Sequence, residues 1–257
     1  MRIMTSTTDV LEQRVALAEG GVAAIAVANH QAALTSTVLN LAEAGDNIVV
    51  VTGVQDSTIT LFTHTLPRLG IRSRFVDMDD LGAIAATIDH QTRALFFECL
   101  GEPTRDRSDI AALARLAHDF NLPLIVDNSA TSTELKPLPL GADVVLYRAT
   151  RWLGIPDADI GGLIVDSGRF NWGATSRFRR LFSEPEPAYH GIRFAEAFGD
   201  ASGVNRAFSA RLRVLVLPAI GATLAPTMAA QLLHALDANV SIVRPHEHEV
   251  FDAGCAA

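Results

Sequence analysis

The sequence predicts an α/β protein with a mostly parallel sheet that is covered by helices on both faces. Short, continuously apolar runs such as NIVVV, RALFFE and LPLIVD alternate with longer helical patterns. Strands that are apolar on both faces are typical of parallel sheets buried between two layers of helices. With 257 residues, 49% of them hydrophobic, the chain can form one large domain with a sizeable core.

Helical and strand-forming segments follow one another along the chain. Apolar periodicity and cap signals predict helices at 7–21, 31–46, 57–67, 81–88, 108–120, 205–217 and 226–237. Apolar runs predict strands at 47–51, 73–77, 93–98, 122–128, 142–147 and 161–166. Ser108 is the predicted N-cap of the clearest amphipathic helix. The polar, proline-containing stretch 176–191 predicts an excursion from this alternating pattern.

Composition excludes several classes of protein. The formal net charge of -8 argues against a nucleic-acid-binding protein, which usually has a basic face. No apolar run reaches the ~20 residues of a membrane span, and the N-terminal MRIMTSTTDV lacks an apolar signal region. Two cysteines, Cys99 and Cys255, predict no disulfide framework, so the expected location is the cytoplasm.

Polar residues follow several of the predicted strands. Ligands of parallel α/β sheets bind beyond the carboxyl ends of the strands, so Gln55, Glu98, Asp127 and the segment 148–151 are expected near one site. The chain contains a single lysine, Lys136. Any chemistry that needs a lysine amine therefore has one candidate.

Several longer stretches point to a known family. They include TTDVLEQRVALAEGGVAAIAVA, FTHTLPRLGIRSRFVD, LPLIVDN, GADVVLYRAT, IGGLIVDSGRFNW and EPEPAYHG. Together these stretches cover nearly the whole chain. The sequence resembles the Cys/Met-metabolism family of pyridoxal-phosphate (PLP) enzymes, and O-acetylhomoserine sulfhydrylases in particular.

The resemblance implies a PLP-transferase type I-like large domain with a mainly parallel seven-stranded sheet, a smaller C-terminal domain, and a dimer within a tetramer. We expect residues 1–225 to form the large domain and 226–257 to be a remnant leading into a C-terminal domain that is largely missing. In the family a lysine forms a Schiff base with PLP, an aspartate pairs with the pyridine nitrogen, a tyrosine stacks on the ring, and small residues at a helix start hold the phosphate.

Two of these positions are retained. Asp127 stands where the ring-nitrogen aspartate is expected, and Thr150 stands at the threonine before the lysine. Asp127 either pairs with a pyridinium or is a polar strand end that bonds local backbone groups.

The other expected cofactor positions differ from the family pattern. Arg151 replaces the lysine, and Arg148 replaces a phosphate-binding serine. Asn29 and His30 replace a Ser-Gly pair, and Gln31 is the residue that follows them. Gln55 replaces the stacking tyrosine, and Glu102 replaces an asparagine near the ring oxygen. A histidine side chain would obstruct the backbone approach to phosphate that glycine permits.

Arg151 decides what chemistry this chain can perform alone. A guanidinium stays protonated, with a pKa above ~12, and offers no free amine to an aldehyde. We therefore expect no covalently bound PLP, and PLP only noncovalently or in a partner subunit. Lys136 matches a variable basic position in the family and is a poor substitute. Arg148 and Arg151 could bind an anion, but the favoured interpretation is that their charge fills the former phosphate pocket through internal ion pairs.

Other candidate residues have a functional and a simpler interpretation. Arg2 matches a family arginine that reaches the partner subunit's phosphate site, or it is a disordered terminal residue. His30 is an acid or base, or a pocket filler with one satisfied hydrogen bond. Cys99 is a nucleophile or a buried structural thiol. The HEHE stretch at 246–249 is not expected to bind a metal, because histidines two residues apart do not share a helix face.

Three hypotheses follow. The first is a non-catalytic subunit that pairs with an active PLP-dependent paralogue performing γ-substitution or sulfur transfer on a homoserine-type amino acid. A homodimer is the alternative assembly. The second is an enzyme of altered mechanism on a related amino acid, with PLP noncovalent or absent. The third is an anion- or small-molecule-binding protein. The first explains best why several cofactor positions differ together while core patterns persist.

Overall fold

A seven-stranded sheet forms the centre of the protein in a computed structural model that describes residues 6–99, 101–130, 135–155, 160–199 and 204–238. The strands are β1 (Ala23–Val27), β2 (Asn47–Val51), β3 (Arg72–Val76), β4 (Thr92–Glu98), β5 (Leu124–Asp127), β6 (Val144–Arg148) and β7 (Gly162–Asp166). Their order in the sheet is β1-β7-β6-β5-β4-β2-β3. Only β7 runs antiparallel to its neighbours among these strands, so the mostly parallel sheet that the sequence predicts is confirmed.

Helices cover both faces of the sheet. They are α1 (Ser6–Glu19), α2 (His30–Leu41), α3 (Asp56–Thr60), α4 (Leu81–Thr87), α5 (Pro103–Asp119), α6 (Ala149–Trp152), α7 (Phe194–Phe198), α8 (Ala207–Arg211), α9 (Leu217–Ile220) and α10 (Pro226–Ala238). A π-helical segment, Leu61–Thr65, and a 3₁₀ turn, Leu66–Leu69, continue α3. The helical path therefore passes Pro67, where the sequence predicted its end, because proline tolerates the first positions of a new turn.

Several elements differ from the sequence-based prediction. α2, predicted to reach residue 46, ends at Leu41, and the short helices α6 and α7 were not predicted. β1 was not predicted; its sequence AAIAV is rich in alanine, and its strand form comes from antiparallel pairing with β7. The predicted start of α5 at Ser108 was wrong, since the helix begins at Pro103. The buried Asp106 carboxylate accepts the backbone N–H groups of Gly101 and Glu102 at 3.1 and 3.0 Å, and these bonds stabilise the earlier start.

The sheet separates two hydrophobic cores. The first core lies between the sheet and α1, α5 and α10, and it includes Leu11, Val126, Tyr147 and Leu232. The second core lies on the opposite face under α2 and α8, and it includes Leu34, Ile125, Leu146 and Trp172. Because side chains alternate along a strand, neighbouring residues of β5 and β6 belong to different cores. Any polar residue on these strands can therefore be assigned to one face.

A close approach between β7 and the start of α2 fixes that helix at the edge of the sheet. A Cβ atom on Gly162 would lie 2.3 Å from the carbonyl oxygen of Asn29. Only glycine permits this contact without a shift of the backbone. The same carbonyl accepts the N–H of Ala33 at 3.1 Å, which begins the helical hydrogen bonding. The first turn of α2 is thus held against the sheet independently of the side chains that it carries.

Candidate functional site

Two carboxyl groups lie side by side at the carboxyl ends of β4 and β5. Glu98 and Asp127 are partners in the parallel register of these strands. Each follows a residue of the first core, Phe97 and Val126, so both side chains face the second core. Both residues are buried, with 2% and 0% exposure. Buried carboxylates require donors or cations nearby, which makes this edge of the sheet the candidate site.

Asp127 is fully engaged by residues of its own chain. Its Oδ1 accepts the N–H and the hydroxyl of Ser129 at 3.0 and 2.6 Å. Its Oδ2 lies 2.6 Å from Nε2 of His30. His30 is only 1% exposed, so the pair is closed to solvent. Nε2 of His30 therefore fills the position next to Oδ2 of Asp127.

The start of α2 explains why His30 reaches Asp127. Asn29 is the N-cap, in extended conformation, and its side-chain oxygen accepts the N–H of Ala32 at 2.8 Å. His30 is the first residue of the helix and is directed into the sheet edge, where it meets Asp127. Its Nδ1 is buried and has no hydrogen-bond partner among the residues that the structure describes. The imidazole is thus attached to the site through Nε2.

A chain of hydrogen bonds connects the remaining strand-end residues. The backbone N–H of Gln55 donates to Oε2 of Glu98 at 3.1 Å, and Oε1 of Gln55 accepts from Nη2 of Arg148 at 3.0 Å. The backbone N–H of Arg148 in turn donates to the Ser129 hydroxyl at 2.9 Å. Since Ser129 also bonds Asp127, the network runs from Glu98 to His30. Gln55, Glu98, Asp127 and Arg148 lie together at this edge, where the sequence placed them.

Glu98 is the acid of this cluster that titrates near neutral pH. Burial, followed by the neighbouring Asp127 carboxylate, raises the pKa of Glu98 to about 7, although the hydrogen bond from the Gln55 N–H opposes the rise. Its Oε2 accepts the Gln55 N–H. The site therefore combines one acid with a shifted pKa and one carboxyl group closed by an imidazole.

The other predicted site residues lie at different depths. Arg151 is exposed on α6, and Thr150 beside it is buried. Glu102 is exposed at the N-cap position of α5, where its side chain makes no capping bond. Gln31 is partly buried in the first turn of α2, next to His30. Arg2 lies outside the described residues, as do Cys255 and the HEHE stretch.

Lys136 lies on the opposite face of the sheet from Asp127. Its Nζ is 2.7 Å from Oε1 of Glu19, a residue of α1 that also accepts from the Tyr147 hydroxyl at 2.6 Å and from the Trp152 indole at 2.8 Å. Tyr147 and Trp152 belong to the first core. The Glu19 side chain is 1% exposed, so the lysine neutralises a buried carboxylate. No local sequence pattern predicts this cluster, because Glu19 and Lys136 are 117 residues apart along the chain.

Cys99, a metal site and a membrane span were also considered from the sequence. Cys99 is buried in the first core. Within the described ranges, no group of three or more His, Cys, Asp or Glu side chains is arranged to hold a metal ion. None of the helices that the structure describes is long and apolar enough to cross a membrane. A separate cavity of about 370 Å³, lined by His118, Asp143 and Arg169 among others, lies at the other ends of the strands.

Two curated relatives match most of this chain. Sulfhydrylase FUB7 from Fusarium oxysporum f. sp. lycopersici is 43% identical over 238 residues, which are 92% of this chain and 54% of that protein. O-acetyl-L-homoserine sulfhydrylase from Leptospira meyeri is 42% identical over 240 residues, with the same two shares. The chain thus spans about half the length of the curated relatives it matches.

A solved structure has the same fold. It is a putative O-acetylhomoserine (thiol)-lyase from Campylobacter jejuni, with 33% sequence identity and a TM-score of 0.82 over 92% of this chain and 58% of that one. That protein contains an N'-pyridoxyl-lysine-5'-monophosphate residue. The family model described as Cys/Met metabolism PLP-dependent enzyme matches residues 1–240. This match, together with the relatives and the common fold, shows that the chain belongs to the Cys/Met-metabolism family of PLP-dependent enzymes.

Proposed function

We propose that this chain is a non-catalytic member of its family that pairs with an active PLP-dependent paralogue. The paralogue would perform γ-substitution, in which a γ-leaving group departs from a homoserine ester and a thiol or another nucleophile is added. The observation that carries the proposal is the position of the only lysine. Lys136 neutralises buried Glu19 in the first core, on the face of the sheet opposite Asp127.

The arginines at the end of β6 and in α6 cannot replace that lysine chemically. Condensation with an aldehyde needs a neutral amine, and the guanidinium groups of Arg148 and Arg151 stay charged. Lys136 would have to leave a buried carboxylate uncompensated in order to move, which costs several kcal/mol. None of the side chains that the structure describes on the Asp127 face therefore provides a suitable amine.

The residues around Asp127 also do not fit a bound pyridinium ring. Its two oxygens accept from Ser129 and meet His30, and neither oxygen is exposed. The N-terminal N–H of Ala32 is bonded by the Asn29 side chain, so this group is not open to a phosphate. A cofactor would have to displace several internal hydrogen bonds. We therefore derive no catalytic step through PLP in this chain.

The preserved fold supports a role in assembly. Buried apolar residues pack on both faces of the sheet, and the TM-score of 0.82 to a solved family member supports a retained family scaffold. A subunit that keeps this scaffold can keep the surface on which family members associate, whatever its own site can do. The names of the relatives, sulfhydrylases and homocysteine synthases, indicate the reaction class expected of the active partner.

The first test concerns the cofactor. The pure chain is mixed with PLP, reduced with borohydride and mapped by peptide mass spectrometry, beside a Lys136→Arg variant and an active family member as positive control. We expect no stoichiometric pyridoxyl group on Lys136 and the same absorbance for both forms of the chain. A stoichiometric adduct at Lys136, or turnover of a homoserine ester by the chain alone, would overturn the proposal.

The second test concerns the partner. The chain is co-expressed with a full-length, active member of its family from the same genome, and the complex is isolated through a tag on one subunit and sized by light scattering. We expect a stable hetero-oligomer, with Arg2→Ala lowering the activity of the complex without dissociating it. A chain that stays alone or forms only a homodimer in this experiment would refute the pairing.

A further inference from the structure

We propose that His30 is a built-in ligand of Asp127, and that this position is a binding site for a protonated nitrogen heteroaromatic ring which the chain's own imidazole keeps closed. The inference rests on the proposed function, because a ring cofactor has no access to Asp127 while His30 is present. It goes further in naming the residue that closes the site and the chemical class that would replace it.

Asp127 is a buried carboxyl group that needs partners from its own chain. Asp127 has no exposed surface, and a carboxylate in such a place needs donors for both oxygens. Ser129 supplies two donors to Oδ1, and His30 meets Oδ2 at 2.6 Å. The other charged groups at the site are Glu98, whose carboxyl group is on the neighbouring strand, and Arg148, which reaches Gln55. The imidazole is therefore the partner of the second oxygen of Asp127, Oδ2.

The imidazole of His30 can be removed by substitution without disturbing the backbone that carries it. The ring is held through Nε2, and its buried Nδ1 has no hydrogen-bond partner in the described part of the chain. The start of α2 is fixed by the Asn29 cap and by the contact between Asn29 and Gly162. Removing the ring should leave the helix in place and open a flat space that ends at Oδ2 of Asp127.

The shape of the removed imidazole defines the class of ligand that can replace it. Removal of the imidazole would leave a planar space. One acceptor oxygen, Oδ2 of Asp127, would lie at the end of that space. A ring that is flat and carries an in-plane N–H, such as imidazolium or pyridinium, can fill it and donate to Oδ2. An aliphatic ammonium ion of similar charge lacks the planar shape and would leave the space partly empty.

The test uses the full chain with His30→Gly, and imidazole as the probe. We expect the variant to melt at a lower temperature than the unsubstituted chain, and imidazole to raise its Tm by roughly 5 °C in a saturable way. The unsubstituted chain should not respond, because its site is filled. His30→Gly/Asp127→Asn should lose the response, since the amide cannot replace the carboxylate as a partner for a cation. Methylammonium at equal ionic strength should have no effect.

Equal Tm shifts for the single variant, the double variant and the unsubstituted chain would overturn the inference, as would an equal response to methylammonium. If His30→Gly does not fold alone, the refolding yield with and without imidazole becomes the readout, and a yield that imidazole does not raise counts against the inference. The two proposals fail separately. Loss of imidazole rescue leaves the borohydride test unaffected, and a pyridoxyl adduct on Lys136 would refute the function without removing the rescue.

Discussion

Glu98 is the residue through which pH should act on the stability of the candidate site. Burial and Asp127 raise its pKa from the ordinary 4.5 to about 7. The folded protein therefore holds a proton that the unfolded chain releases at lower pH, so stability falls as pH rises from about 4.5 and the loss is complete above about 7. We expect Glu98 to lower the free energy of unfolding by about 2–3 kcal/mol between pH 5 and pH 8.

The matched control is Glu98→Gln, which keeps the side-chain shape and removes the titration. Urea unfolding of both proteins at pH 5 and pH 8 measures the difference, with the glutamine variant expected to lose less stability over this interval. The result would be contradicted if both proteins changed equally with pH, because the pH dependence would then arise elsewhere.

Lys136 should matter for stability even though it takes no part in the proposed chemistry. Lys136→Met leaves Glu19 buried without its cation, and we expect the free energy of unfolding to fall by about 3 kcal/mol. Adding Glu19→Gln removes the stranded charge while its amide oxygen can still accept from Tyr147 or Trp152. The double variant should therefore recover at least ~1 kcal/mol in urea unfolding. A double variant no more stable than the single one would argue against a charged Glu19 in the folded protein.

At the scale of elements, prediction from the sequence succeeded where one local signal was sufficient. The β-branched run of β2 and the apolar runs of β4 and β5 were predicted because such residues favour buried strands. β1 was missed because its alanines have no strand preference, and only its pairing with β7 makes it a strand. The start of α5 was placed too late because Ser108 has the residue type of a cap, whereas Asp106 provides the actual bonds.

Asp106, rather than Ser108, should stabilise the start of α5. Asp106→Ala removes an acceptor for two buried or partly buried N–H groups, and we expect a loss of about 2 kcal/mol. Ser108→Ala and Glu102→Ala are the controls, and both should stay within about 0.5 kcal/mol, because these exposed side chains do not cap the helix. Thermal or urea unfolding compares the three variants. A larger effect at Ser108 than at Asp106 would support the later start that the sequence suggested.

At the scale of the whole molecule, the sequence predicted where the site lies but not how it is closed. Gln55, Glu98, Asp127 and Arg148 could be placed together because parallel strands end at one edge of a sheet. The pairing of His30 with Asp127 depends on how α2 docks on that edge, across 97 residues of chain. The pairing of Lys136 with Glu19 spans 117 residues and lies on the other face. Such long-range polar pairs leave no periodic pattern in a single sequence.

The place of α10 in the molecule decides whether Pro226–Ala238 belongs to the large domain. Leu232 of this helix is buried in the first core, in the segment that the sequence assigned to a second domain. We expect Leu232→Ala to lower the free energy of unfolding of the whole chain by about 3 kcal/mol, because it opens a cavity in a shared core. Arg14→Ala, which breaks an ion pair to the exposed Asp237, is the control and should cost less than ~1 kcal/mol.

Fluorescence of the two tryptophans follows both cores in this experiment. Trp152 lies in the first core and Trp172 in the second, and each can be observed alone after the other is replaced by phenylalanine. If α10 is part of one cooperative unit, Leu232→Ala shifts both transitions to the same lower urea concentration. An unchanged Trp172 transition would mean that the layers unfold separately, and two unchanged transitions would mean that α10 is a separate unit. We expect the common shift, because the two cores lie on the two faces of one sheet and its strands cannot remain paired when one face loses its helices.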